Sequence, residues 1–252
     1  MRYMKSSVVA VAMALIAAPI VFAQGGRAMA PPPAAPAQAQ EGASKAIADG
    51  GIKIPGWMGK IDATEEKAGL TINSAKLVAD GKNLHVTTGP ATTYWNPANK
   101  ASGDYTVKAT FNEADFMGLN DHPHPYGIVI GGNDLGTANQ SYLYCAAYGS
   151  GTFIVRGMAP DATNGVFALG AKRPTASDAV HKAEAQHKPV TQEIAMQVKG
   201  DSVSCIINGT TVVTYPKSEV VGAGKLKSTD GIYGIRFAHN TDGIVSGLTL
   251  VK

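Results

Sequence analysis

The stretch His122 to Met158, HPHPYGIVIGGNDLGTANQSYLYCAAYGSGTFIVRGM, constrains the fold of this chain more than any other segment. It reads as three consecutive strands separated by glycine-rich turns. Leu143, Cys145 and Ala147 alternate with Tyr142, Tyr144 and Tyr148, the period of two that places successive side chains on opposite faces of a strand. One face is small and apolar, the other aromatic. A three-residue loop at Gly149, Ser150 and Gly151 sets Tyr144 opposite Arg156 and Cys145 opposite Val155, whereas a two-residue loop would mix the faces. The three-residue loop is therefore expected. It turns Phe153 and Val155 toward the core and leaves Tyr142, Tyr144, Ile154 and Arg156 on an opposite, ligand-accessible surface.

The same signals recur along the chain. Ala75 to Ala79 and Leu84 to Thr88 flank a turn at Asp80-Gly81, and Tyr105, Val107, Ala109 and Phe111 alternate with polar neighbours. Ile194, Met196 and Val198 precede a turn at Gly200-Asp201. Val203, Cys205 and Ile207 lead into Asn208-Gly209, a hairpin signal because both residues tolerate positive φ, and Thr211 to Tyr215 returns. Tyr233, Ile235 and Phe237 share one face, with Arg236 on the other, before a turn over Asn240 to Gly243 and a last strand near Val245 to Val251. About a dozen short strands with almost no helical periodicity predict an all-β, two-sheet antiparallel sandwich over residues 46–252, in which each sheet buries one face on the other. Twenty-nine glycines suit its many turns. Ser177 to Lys188 is the exception and reads as an exposed connection of one or two helical turns.

Met1 to Ala23 has a basic start at Arg2 and Lys5, an apolar run from Val8 to Phe22 and small residues at Val21 and Ala23, the pattern of a cleaved export signal. Pro19 and the shortness of the run argue against a stable membrane span, so a secreted or periplasmic location is expected. Residues 24–45 are Pro, Ala and Gln rich with almost no large apolar side chain, and predict a disordered linker. The formal charge of +3 includes the signal; without its two basic residues the chain has 20 Lys and Arg against 19 Asp and Glu, a net +1. With basic residues scattered and no basic patch interleaved with aromatics, no nucleic-acid partner is expected.

Several constellations bear on chemistry. Glu113, Asp115 and Met117 have the spacing of an acidic strand motif, but the third position holds a thioether that cannot carry a proton, which argues against a retaining glycosidase there. In Asp121-His122-Pro123-His124 an extended backbone points both imidazoles to one side, and Asp121 or His239 can complete a zinc-type site; loop histidines without a metal are the favoured reading, since the spacing alone supplies no third ligand. Gly131-Gly132-Asn133-Asp134-Leu135-Gly136 lacks the following helix a phosphate loop needs, so it reads as a turn, with oxygen ligands suited to calcium. Cys145 and Cys205 both face the predicted core, and exported chains meet an oxidising compartment. Sequence leaves a disulfide and two buried thiols equally open.

HPYGIVIGGNDL, QSYLYCAAYGSGTFIVRG, VSCIINGTTV and DGIYGIRFAHNTDGIVSGLTL together resemble the concanavalin A-like jelly rolls, particularly laminin-G-like and secreted 3-keto-disaccharide hydrolase-like domains. The resemblance implies a jelly-roll sandwich with a carbohydrate-linked role. On that reading Tyr142 and Tyr144 offer ring faces to a glycan, while Arg156, Arg236, His239 and Asn240 direct hydrogen bonds to it from the sheet face or the loop rim. The alternative the resemblance implies is hydrolysis or elimination on an oxidised, 3-keto sugar, with His122, His124 or His239 as general base and metal ligand.

Overall fold

The computed structural model describes residues 42–162 and 165–252. The expected export signal and residues 24–41 of the expected linker lie outside them. Gly42–Lys252 forms one unit, built from two eight-stranded sheets. One sheet runs in the order β1 (Gly51–Ile52), β3 (Lys76–Asp80), β4 (Asn83–Thr87), β16 (Asp242–Val251), β6 (Tyr105–Glu113), β12 (Val190–Lys199), β13 (Ser202–Ile207) and β14 (Thr210–Pro216). The other runs β10 (Val166–Ala168), β9 (Thr152–Met158), β8 (Ser141–Tyr148), β7 (Pro125–Asn133), β15 (Gly231–Phe237), β5 (Thr92–Ala101) and β2 (Met58–Ile61), with β11 (Thr175–Ala176) also on β9. Strand pairing is antiparallel except between β1 and β3.

The register is the one the alternation requires. Tyr144 pairs with Arg156 and Cys145 with Val155, and Asn208 and Gly209 turn β13 into β14 with φ of 49° and 79°. The buried core joins Val107, Ala109, Phe111, Ile194, Met196 and Val198 of the first sheet to Ile128, Leu143, Cys145, Val155, Ile235 and Phe237 of the second. Each large apolar side chain so enclosed contributes roughly 1.5–3 kcal/mol. Cys145 and Cys205 are joined as a disulfide with Cα atoms 5.9 Å apart, tying β8 of one sheet to β13 of the other.

Two local expectations are corrected. Ser177 to Lys188 contains no helix but a series of turns, because Val180 is its one deeply buried apolar side chain and gives no stripe for a helix to bury. Its backbone is held instead by side chains: His181 N donates to Gln192 Oε1 at 3.0 Å and Asn208 Nδ2 to the Ala179 carbonyl at 2.8 Å. Residues 42–45, assigned by composition to the linker, lie on the sandwich, where Lys45 N donates to Asn240 Oδ1 at 2.8 Å. Gly89 accommodates them, since a Cβ there would run into the Lys45 carbonyl. Among the described residues no helix is long and apolar enough to cross a membrane.

Glu113 ends β6 and continues its inward stripe, only 4 % exposed. Because the strand stops there and Met117 takes a φ of 59°, Glu113, Asp115 and Met117 never share a strand face. Burial pushes the Glu113 carboxyl up to about 7, against a partly compensating hydrogen bond from Met117 N at 3.2 Å. Between the ordinary value of 4.5 and about 7 the folded chain therefore keeps a proton at Glu113 that the unfolded chain has released, so the contribution of this carboxyl to stability falls as pH rises through that window and levels off above it. Glu113→Gln should therefore be more stable than the parent by a margin that grows across the window to on the order of 3 kcal/mol at alkaline pH, read from urea unfolding of both proteins at acid and alkaline pH; a margin that does not change with pH refutes the assignment. The double variant Cys145→Ala/Cys205→Ala should lose about 4 kcal/mol, the loop-closure contribution of a bridge of this span, in the same measurement.

Candidate functional site

Tyr142, Tyr144, Arg156 and Arg236 share the outer face of the second sheet, as their register demands. That face is not open, which corrects the expectation of a ligand-accessible surface. Tyr142 is 1 % exposed, Arg236 8 % and Arg156 9 %, and Tyr144 is half-buried. The reason is that the chain satisfies these groups itself. Arg236 forms a bidentate pair with Asp62 at 2.6 and 2.8 Å, also donates to Thr93 Oγ1 at 3.0 Å and the Tyr142 hydroxyl at 3.1 Å, and stands 5.0 Å over the Tyr144 ring. Burial by itself would pull the Arg236 pKa down; the Asp62 carboxylate beside it holds it well above its ordinary value. Arg156 donates to the Ala171 and Lys172 carbonyls at 2.9 and 2.5 Å. The loop proposed for calcium is likewise engaged: Lys227 pairs with Asp134, and Asn133 Nδ2 donates to the carbonyls of Gly131 and Asp230. An ammonium group occupies the carboxylate a cation would need.

The remaining predicted residues converge at one end of the sandwich. Phe237 pairs with Tyr126 across β15 and β7, and Ala238 N donates to the Pro125 carbonyl at 2.9 Å, so the ladder carries on one residue past the end of β15. His239 and His124, each two residues beyond an inward aromatic, meet with ring centroids 4.0 Å apart. His122 closes on His124 with centroids 4.4 Å apart, and one ligating atom from each of the three lies within 4.8 Å of the others. Asn240, predicted as a ligand contact, is 3 % exposed and takes a φ of 45°, a conformation asparagine tolerates. It knots the rim: its N–H donates to the Gly89 carbonyl, its amide reaches the Ala43 carbonyl and Asn120 Oδ1, and its own carbonyl accepts from Asn120 Nδ2 at 2.6 Å.

Beside this knot lies a cleft of about 670 Å³ lined by residues 42–45 and 117–121 together with Gln186, His187 and Asn240. Asp121 lines it and pairs with His122 at 2.7 Å, and the His122 imidazole draws the Asp121 carboxyl below its ordinary value. His124 lies deeper, where burial pushes it down to about 4, so it is a neutral imidazole at neutral pH. Sequence reasoning found both histidines and His239 but missed Ser44, Asn120 and Asp62. Ser44 sits at the end of a low-complexity run, and Asn120 in a polar loop that has no periodicity to place it; Asp62 follows a short edge strand, with nothing local to tie it to Arg236.

No protein-family model matches the chain, and no curated protein is similar to it in sequence. Among solved structures the sandwich is similar to the carbohydrate binding module CBM66 from Bacillus subtilis, with a TM-score of 0.53, 7% identity, and coverage of 81% of this chain and 99% of that one. It is also similar to a protein of unknown function with a galectin-like fold from Bacillus subtilis, with a TM-score of 0.50, 13% identity, and coverage of 84% and 96%. At such identities the likeness establishes the lectin-like jelly-roll fold and no narrower family.

Removing Asp62 strands a buried guanidinium, so Asp62→Ala is expected to cost about 3–5 kcal/mol. Asp62→Ala/Arg236→Met should cost clearly less than the two single changes together. Urea unfolding of the four proteins checks this; additive losses would mean that the pair is not coupled.

Proposed function

We propose that this chain is an exported carbohydrate-binding domain whose ligand sits in the rim cleft rather than on the sheet face. The carrying observation is the cleft itself, a concavity of about 670 Å³ at the loop end of a lectin-like sandwich. Its size suits one or two sugar rings. Lys45, Gln186 and His187 supply donors and acceptors for hydroxyls, and Met117 and Leu119 supply apolar contact. The sheet face is the weaker candidate because Tyr142, Arg156 and Arg236 already spend their polar groups within the chain. Export is supported by the N-terminal segment and by the inter-sheet disulfide, a bond that persists in oxidising compartments.

A second reading has one observation in its favour. Three imidazoles converge next to Asp121, a residue of the cleft wall, and hydrolysis or elimination on an oxidised sugar needs a base of that kind. Turnover of a 3-keto-glycoside that disappears in His122→Ala would establish it.

The binding reading is tested on a glycan array followed by calorimetry. Gln186→Ala and His187→Ala should each weaken retention by about 3- to 10-fold, the worth of one hydrogen bond, while Tyr144→Ala leaves it unchanged. No retention at millimolar glycan, or retention lost only in Tyr144→Ala, would overturn the placement.

A further inference from the structure

The three histidines differ from an accidental cluster in one respect: their hydrogen bonds impose the same tautomer on all of them. His122 Nδ1 faces Asp121 Oδ1 at 2.7 Å, and a carboxylate can only accept. His124 Nδ1 faces the His239 carbonyl at 2.5 Å, and a carbonyl has no proton to give. Asn120 Nδ2 also comes within 2.9 Å of His124 Nδ1, but its protons have takers in the Asn240 carbonyl at 2.6 Å and the His239 carbonyl at 3.4 Å. His239 Nδ1 faces Ser44 Oγ at 3.3 Å, and that hydroxyl gives its single proton to Glu65 Oε1 at 2.7 Å. Ser44 therefore accepts. Each Nδ1 carries a hydrogen, and each Nε2 carries a lone pair.

The consequence appears between His122 and His124, whose Nε2 atoms lie 2.7 Å apart. Two lone pairs at that distance repel unless a cation lies between or beside them. A shared proton needs two imidazoles; here a third is brought against the pair by the ladder register of β7 and β15. From this geometry we infer that His122, His124 and His239 form a binding site for a divalent transition-metal ion of the zinc class, ligated through Nε2. Asp121, the His239 carbonyl and Ser44 hold the rings from behind, the arrangement in which ligating histidines are oriented by carboxylate or carbonyl partners. An all-imidazole set suits zinc, copper or nickel, whereas calcium prefers oxygen. Tetrahedral ligation at about 2.0–2.1 Å sets two nitrogens roughly 3.3 Å apart, so His122 must swing outward by a fraction of an ångström. It can, because it lies on the partly exposed rim. Three protein ligands leave a fourth position, which suits water or another oxygen donor.

The inference does not depend on glycan binding, and its test does not use glycans. Full-length protein stripped with a chelator and titrated with Zn²⁺ should take up one ion per chain. Co²⁺ in its place should give the intense visible bands of a low-coordinate imidazole site. Asp121→Ala should weaken Zn²⁺ binding by about 10- to 100-fold, as loss of an orienting partner does, and His122→Gln should weaken it further while leaving the urea unfolding of the metal-free protein unchanged. His124→Gln and His239→Gln should abolish binding, and the rim variants carry the test if either of these fails to fold. Absence of stoichiometric uptake by the parent protein, or Zn²⁺ binding undiminished in folded His122→Gln, overturns the assignment.

Discussion

The site depends on the parity of one cross-strand pair. Tyr126 and Phe237 oppose each other in adjacent strands and point between the sheets, where they pack on Phe111 with ring centroids 5.6 and 5.9 Å away. Side chains in extended backbone repeat their direction every second residue. Continuing each strand by two residues brings His124 and His239 out on the same side, as a polar cap on the end of the hydrophobic core. A one-residue slip of β7 against β15 would leave His124 and His239 on opposite faces. The aromatic stack that keeps the core dry thus also sets where the imidazoles meet.

Elsewhere the sandwich shows how a polar-aromatic surface can be structural. Arg236 is buried with its charge intact, which is tolerable only when a carboxylate and further acceptors surround it. Asp62 arrives from the end of β2 and supplies the carboxylate, while Thr93 and Tyr142 supply hydroxyls. The tyrosines that would have offered ring faces to a ligand form part of that enclosure instead. Lys227 on Asp134 repeats the logic on the exposed side. Opposite charges that lie far apart in sequence fasten loops to the sheets.

The same economy holds at the rim. Ser44, Asn120 and Asn240 are spent on holding backbone and imidazoles in place, while Gln186, which donates to the Met117 carbonyl, and His187, which pairs with Asp115, line the cleft. A lectin-like sandwich with a rim cleft and three converging imidazoles sets its candidate binding groups on loops at the end of a rigid scaffold.

Alternation of period two, glycine-punctuated turns and the choice of a three-residue loop after Tyr148 were enough to establish the sandwich and the pairing of Tyr144 with Arg156, because each is a local consequence of backbone geometry. The same reading found the two rim histidines, since a His-x-His spacing in extended chain is itself a geometric statement, and it named His239 as one of two candidates to complete them. It left open whether Cys145 and Cys205 pair, which depends on which strands of opposite sheets face each other. It mistook the outer sheet face for a free surface, because Asp62 and residues 171–172, the segments that engage it, come from distant parts of the chain. Local periodicity determines which face a side chain leaves by. What it meets there is decided by long-range packing, and only the tertiary structure shows that.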